Sequence, residues 1–117
     1  MRERALLGAR GEALAAQHLE QQGFAILARN ARIGRLELDV IARRGGLIAI
    51  CEVRTRSSRD FIDPALTIDR QKRERIRRAA RGWLAQHGLT GCEVRFDAAS
   101  VVIGPEDSSL DYYEAAF

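Results

Sequence analysis

Four ionisable residues stand inside two segments that otherwise read as β-strands: Glu37 and Asp39 in LELDVIA, and Glu52 and Arg54 in LIAICEVRT. Carboxylates brought together on a sheet repel one another, and each is costly to desolvate where a helix covers the sheet. A divalent cation answers both problems, because magnesium takes one or two carboxylates from a protein and completes its octahedron with water and phosphate oxygens. Arg54, two residues beyond Glu52 and on the same side of its strand, would bind a phosphate or steady negative charge as it builds. A ladder of cross-strand ion pairs on a solvent-facing surface is the plainer alternative, and spacing alone does not choose between the two.

The geometry depends on how the two strands meet. With a period of two, Leu36, Leu38, Val40 and Ala42 share one face of the first strand, and Glu37, Asp39 and Ile41 the other. In the second strand Leu47, Ala49, Cys51 and Val53 oppose Ile48, Ile50, Glu52 and Arg54. A hairpin closed symmetrically on the ArgArgGlyGly linker at 43–46 sets Ala42 against Leu47, Asp39 against Ile50 and Glu37 against Glu52. The acids then share one face, with Asp39 and Glu52 diagonal neighbours roughly 7–8 Å apart. A bulge or a slipped register breaks that parity.

Two helical residues point to the same place. Glu12 lies at helical spacing from Ala5, Ala9, Ala16 and Leu19, which sets a carboxylate on or beside an apolar stripe. Lys72 is in line with Ile76, Ala79 and Trp83, so its amine would lean toward the sheet or reach back to water.

The elements that must hold these residues follow from periodicity. Residues 4–22 read as a helix stopped by Gly23, residues 24–29 as a short strand, 30–35 as a turn, and 36–42 and 47–55 as the two acid-bearing strands. After the polar stretch SSRDFIDPA comes a second helix over about 69–87, with Asp69 or Thr67 as N-cap and Gly88 as stop. Residues 93–103 make a fourth strand, GPEDSS a turn, and DYYEAAF an edge strand or a helical turn. The order α-β-β-β-α-β describes a central mixed sheet flanked by helices, α/β or α+β in class. The second helix is long enough to let the strands around it run parallel.

The bulk properties bound the function. One domain over residues 1–117, 46% hydrophobic and 30% charged, needs neither disulfide nor structural metal. No apolar run approaches the roughly 18 residues of a membrane span, and the N-terminus lacks a secretory core, so a cytoplasmic location is expected. Cys51 and Cys92 have no metal-type spacing and read as reduced core or near-core thiols; His18 and His87 read as surface residues. Asp97, out of phase in its strand, reads as structural or as a distant support. The net charge is +3, but seven of the twelve residues from Arg70 to Arg81 are basic, among them Lys72, Arg73 and Arg77. With Arg54, Arg56 and Arg59 they form a plausible phosphate-facing surface, or else a solvated helix face.

Taken in order, GARGEALAAQHLEQQGFAILARN, LELDVIA, LIAICEVRTRS, DPALTIDRQKRERIRRAARGWL, VRFDAASV and EAAF resemble the YraN-like uncharacterised protein family over nearly the whole chain. That resemblance implies an α/β, restriction-endonuclease-like fold, similar to archaeal Holliday-junction resolvases and to PD-(D/E)xK nucleases. It implies Glu12 as the helix glutamate, Glu37 and Asp39 as the E-x-D pair, and Glu52-Val53-Arg54 in the place of E-x-K. Asp39 and Glu52 would be the metal ligands. Leu36 replaces a glycine that usually precedes the pair. Arg54 replaces lysine, keeping the charge but hardly ever yielding a proton.

The function expected is therefore a Mg²⁺- or Mn²⁺-dependent nuclease acting on DNA phosphodiesters, branched or junction DNA among them. Its catalytic residues would be Glu12, Asp39, Glu52 and Arg54, with Glu37 and Lys72 in support. Arg54, Arg56, Arg59, Lys72, Arg73 and Arg77 would hold the nucleic-acid backbone without reading sequence, and resolvases of this type also permit a homodimer. The alternative is a nucleic-acid-binding module that keeps the fold without the chemistry.

Overall fold

The computed structural model describes residues 2–57 and 68–117. Arg59 and Thr67 fall outside that range. Among the described residues the order is α1 (Arg2–Gln21), β1 (Ala25–Ile33), β2 (Leu36–Arg44), β3 (Leu47–Arg56), α2 (Arg70–Gln86), β4 (Glu93–Ile103) and β5 (Ser108–Tyr113). The strands form one mixed sheet in the order β1-β2-β3-β4-β5, antiparallel except for the parallel pair β3 and β4 that α2 connects. This is the α/β, helix-flanked mixed sheet expected from the sequence, and it is compatible with a nuclease-like fold. The tail takes the edge-strand option, and β5 starts within the segment read as a turn. No described helix is long and apolar enough to cross a membrane.

Local chemistry accounts for the helix ends. Asp69 is the N-cap of α2 and accepts a hydrogen bond from the Lys72 amide at 2.8 Å, satisfying one of the donors that a helix start leaves open. Gly23 and Gly88, at φ +89° and +67°, let the chain leave each helix in the left-handed region.

The two faces of the sheet carry separate cores. On the α2 side Leu38, Ile41, Ile48 and Ile50 pack with Ile76, Trp83 and Leu84. On the α1 side Val40, Ala42, Ala49 and Cys51 pack with Ala15, Leu19 and Phe24. Each fully buried Leu or Ile contributes about 1.5–3 kcal/mol, so these layers fix which way each strand faces. Cys51 and Cys92 are free thiols, the first buried and the second partly so. Asp97 is fully buried on the sheet and accepts hydrogen bonds from Arg95 (2.9 Å), the Tyr112 hydroxyl (2.6 Å) and the Ala115 amide (2.9 Å), which ties β4 to β5 and the C-terminus.

Three expectations about the strands are corrected. β1 runs on to Ile33, so the connection to β2 is only Gly34 and Arg35, because Asn30 adopts φ +54° within the strand instead of ending it. The β2–β3 turn is Gly45–Gly46, which pairs Arg44 with Leu47, Ile41 with Ile50 and Val40 with Cys51, one residue further along each strand than a four-residue linker gives. Finally, strict alternation fails in β2: Leu36 and Leu38 join the α2 core while Val40 and Ala42 join the α1 core. In β1 Ala28 and Ala31, three residues apart, both join the α2 core, so the two paired strands change phase together around Asn30 and Asp39.

Candidate functional site

The pairing of β2 with β3 ends at Val40 and Cys51, although β2 continues beside β1 to Leu36 and β3 beside β4 to Arg56. Beyond that last pair the sheet divides like a fork, with β1 and β2 on one arm and β3, β4 and β5 on the other. Asp39 and Glu52 are the first residue on each side of the notch. They are therefore level with each other, not diagonal as the symmetric hairpin implied.

Asp39 spans the notch. Its Oδ2 accepts a hydrogen bond from the Val53 amide at 2.8 Å, a main-chain donor that no longer has a β2 carbonyl to meet. Glu52 is 4% exposed and its Oε2 is buried with no hydrogen-bond partner. Burial, followed by the charge of Asp39, pushes the Glu52 carboxyl up to about 8, against the smaller opposing pull of Lys72, the Asp39 main chain and Arg54. Burial also raises Asp39; the Val53 amide, Lys72 and Arg54 work against that rise, and Glu37 adds to it. A buried carboxylate beside a half-buried one is compensated by a proton, by cations of the protein, or by an added cation.

Alternation puts Glu52 on the α2 side, toward Lys72, and the phase change puts Glu37 on the α1 side, where it is exposed. The acids therefore do not share one face, as the uniform period of two predicted. Glu12, on α1, is raised chiefly by burial and also by Asp39 and Glu37, while a hydrogen bond from the Asn30 side chain and the charge of Arg29 oppose the rise. Asp39 thus links a Glu12–Glu37 group on one face to a Glu52–Lys72–Arg54 group on the other.

Glu12 also opens onto a cleft of about 590 Å³ between α1 and the end of β3, lined by Leu7, Gly8, Val53, Thr55 and Arg56. Gly11, the preceding residue, is pressed so closely on β3 that a Cβ there would overlap the Thr55 hydroxyl and stand 2.9 Å from the Thr55 Cβ. Glycine at this position is what lets the helix carry Glu12 down to the sheet.

The basic residues expected to bind phosphate are more dispersed. Arg54 and Lys72 lie at the acids, and Arg56 lines the α1 cleft. Arg73 donates its Nε to the Ile68 carbonyl at 2.9 Å, and the Arg77 guanidinium sits 5.4 Å over the Phe96 ring, on the flank of α2 that faces β4. Among the described residues, no three His, Cys, Asp or Glu side chains converge closely enough to hold a metal by themselves. Asn30 and Gly11 were missed from sequence. An Asn within a strand pattern is the signal for the first, and a glycine beside an acid on an apolar helix face for the second.

The family model for the uncharacterised protein family UPF0102 matches residues 11–101. The chain belongs to UPF0102. The match spans all four acids, Arg54 and Lys72. A UPF0102 protein of Sorangium cellulosum is 48% identical over 118 residues, covering 97% of this chain and 82% of that relative. A UPF0102 protein of Acidothermus cellulolyticus is 38% identical, covering 97% of this chain and 95% of the relative. One from Alkaliphilus metalliredigens is also 38% identical, covering 95% and 96%. Similarity at this level covers 95–97% of this chain and 82–96% of these relatives, in agreement with the family resemblance of the sequence motifs.

Proposed function

We propose that the fork is the active centre of a metal-dependent nuclease whose substrate is a nucleic-acid phosphodiester, with DNA as the expected form. The observation that carries this reading is the buried, unpartnered Oε2 of Glu52 beside the carboxylate of Asp39. An all-oxygen donor pair suits Mg²⁺ or Mn²⁺, which needs only one or two carboxylates when water and phosphate fill the remaining positions. Two converging carboxylates among the described residues are compatible with that partial cage.

Asp39 and Glu52 would hold the ion, which when bound supplies positive charge to the phosphate and acidity to a water molecule. The protein's own residues do the rest. The Val53 amide keeps the Asp39 carboxylate aimed across the notch. Arg54 binds a non-bridging phosphate oxygen and stabilises the charge that builds on it, a task that does not require losing a proton. Lys72 supports the same charge from α2. Glu12, held by Asn30, orients the attacking water and takes its proton, with Glu37 adding to the local field. Water forms a new P–O bond as the opposite P–O bond breaks, and the departing oxygen takes a proton from solvent water, leaving a phosphate monoester on one end and a hydroxyl on the other. Arg56 then holds flanking backbone in the α1 cleft.

One observation favours a second reading, a binding module on a nuclease fold: Arg54 occupies the place of lysine. The experiment that tests both is cleavage of a four-way junction, a flap, a nicked duplex and a single strand with Mg²⁺ or Mn²⁺, run beside Asp39→Ala and Arg54→Lys. The wild type is expected to cut at least one substrate. Asp39→Ala should cut about a hundredfold more slowly or worse while still binding DNA. Cleavage that begins only with Arg54→Lys would support the binding module, and silence from every variant would reject the nuclease.

A further inference from the structure

α2 has a second basic flank that plays no part in the scheme above. Between α2 and the β1–β2 turn lies a recess of about 290 Å³, floored by Ile33, Leu36 and Ala79 and rimmed by Arg35, Arg75 and Arg78. All three arginines are exposed, and none has a carboxylate partner or a hydrogen bond among the described residues. Among the described residues no acid lines the recess; a second hollow along α2 shares Arg75 and Arg78 and adds Arg70, Gln71 and Glu74. Three uncompensated guanidiniums around one apolar floor make a site for an anion that also carries apolar surface.

The position of the recess narrows the choice. Leu36 is the residue before Glu37, and Arg75 and Arg78 lie one and two turns beyond Lys72 on the helix that bears it. At about 1.5 Å per residue, Lys72 to Arg78 spans roughly 9 Å. Successive phosphates of one strand advance about 3.4 Å along the axis of a duplex, so Arg75 lies about one phosphate, and Arg78 roughly two to three, beyond Lys72. A recess this small is at the lower limit of small-ligand pockets, which suits one nucleotide and excludes a double helix.

Resting on the nuclease reading of the fork, we infer that this recess holds an unpaired nucleotide of the strand that leaves the scissile phosphate, with Arg35, Arg75 and Arg78 on its phosphates and its sugar and base against Ile33, Leu36 and Ala79. The substrate class this selects is a duplex with a single-stranded arm, not a continuous duplex.

The test uses the full chain in EDTA, so that binding is read without cleavage. A fluorescent short duplex and the same duplex with a single-stranded overhang are titrated against wild type and against Arg35→Gln/Arg75→Gln/Arg78→Gln at several salt concentrations. The triple variant is expected to lose about tenfold more affinity for the overhang than for the blunt duplex. Its salt slope on the overhang should flatten by about 2, at roughly 0.7 per lost single-strand phosphate contact. Equal loss on both ligands would assign the arginines to a diffuse positive field and overturn the inference, as would no loss. If the triple variant melts early, the single replacements at exposed Arg75 and Arg78 give the same comparison. Failure of the nuclease reading would look different: Asp39→Ala would cut like wild type, or neither would cut, with the overhang-selective loss in EDTA unchanged.

Discussion

Freed of divalent cations, the protein is expected to become less stable as the pH rises from about 5 to 8. Glu52 ionises near 4.5 in the unfolded chain and near 8 when folded. Between those values the native state keeps a proton that the unfolded state has released, so stability falls as pH increases. The contribution is fully present below about 4.5 and is lost as pH passes through 8. Asp39, also raised by burial, acts in the same direction. A shift of this size corresponds to about 3–5 kcal/mol, or roughly 12–20 °C in melting temperature for a chain of this length. Cys51 and Tyr112 are pushed up from values of 9 and 10, so their titrations lie above the window. Thermal melts at intervals across it, with and without Mg²⁺, measure the effect. Glu52→Gln should remove most of the slope and raise the melting temperature at pH 8, and Mg²⁺ should stabilise wild type but not this variant. A flat profile in the wild type, or one equally steep in Glu52→Gln, would mean that the fold already compensates the carboxylate.

The second large effect comes from a hydrogen atom. Gly11→Ala adds a methyl group that meets the Thr55 hydroxyl and lies 2.9 and 3.0 Å from the Thr55 Cβ and Cγ2. Alanine is otherwise the better helix former by about 1 kcal/mol, so propensity alone predicts a gain. Overlap with a side chain rooted in a central strand outweighs that gain, and the net loss is expected to be about 2–3 kcal/mol, with α1 displaced from β3. Chemical denaturation measures it. Thr55→Ala removes the hydroxyl and Cγ2 but leaves the Cβ, so the double variant should recover part of the loss, a coupling that appears only between residues in contact. Additive losses would show that the helix had already moved away. Because Glu12 is the next residue, the same displacement should reduce any cleavage activity more than the stability loss accounts for.

How much of this was legible in the sequence depended on whether the relevant force was local. Asp69 as cap, Gly23 and Gly88 as stops, and the core faces of β3 all follow from short-range chemistry, and the structure matches them. The β2–β3 register was not legible, because Arg43 and Arg44 read equally well as turn or strand, and pairing across the sheet extends β2 to Arg44. The phase change at Asp39 was hidden for a related reason: it depends on Asn30 in the neighbouring strand, whose positive φ is visible only once the strands are paired. The fold brings Glu12 near Asp39, and Asp39 and Lys72 near Glu52, whereas the single face that a uniform period of two gave to Glu37, Asp39 and Glu52 does not form. The depth of Glu52, and hence its raised titration, required α2 to be in place above it.

The forked sheet also equips the backbone with its own gauge of the site. The Val53 amide would be an ordinary ladder donor in an unbroken sheet, but at the notch it donates to the Asp39 carboxylate. Its proton therefore feels directly whether that carboxylate is charged, protonated or drawn toward a cation. In an amide NMR spectrum Val53 should move with pH and with added Mg²⁺, while Ala49, fully buried in the unbroken part of the same strand, stays still. One peptide group, set free by the parting of two strands, turns the occupancy of the carboxylates into a signal that needs neither substrate nor label on a side chain.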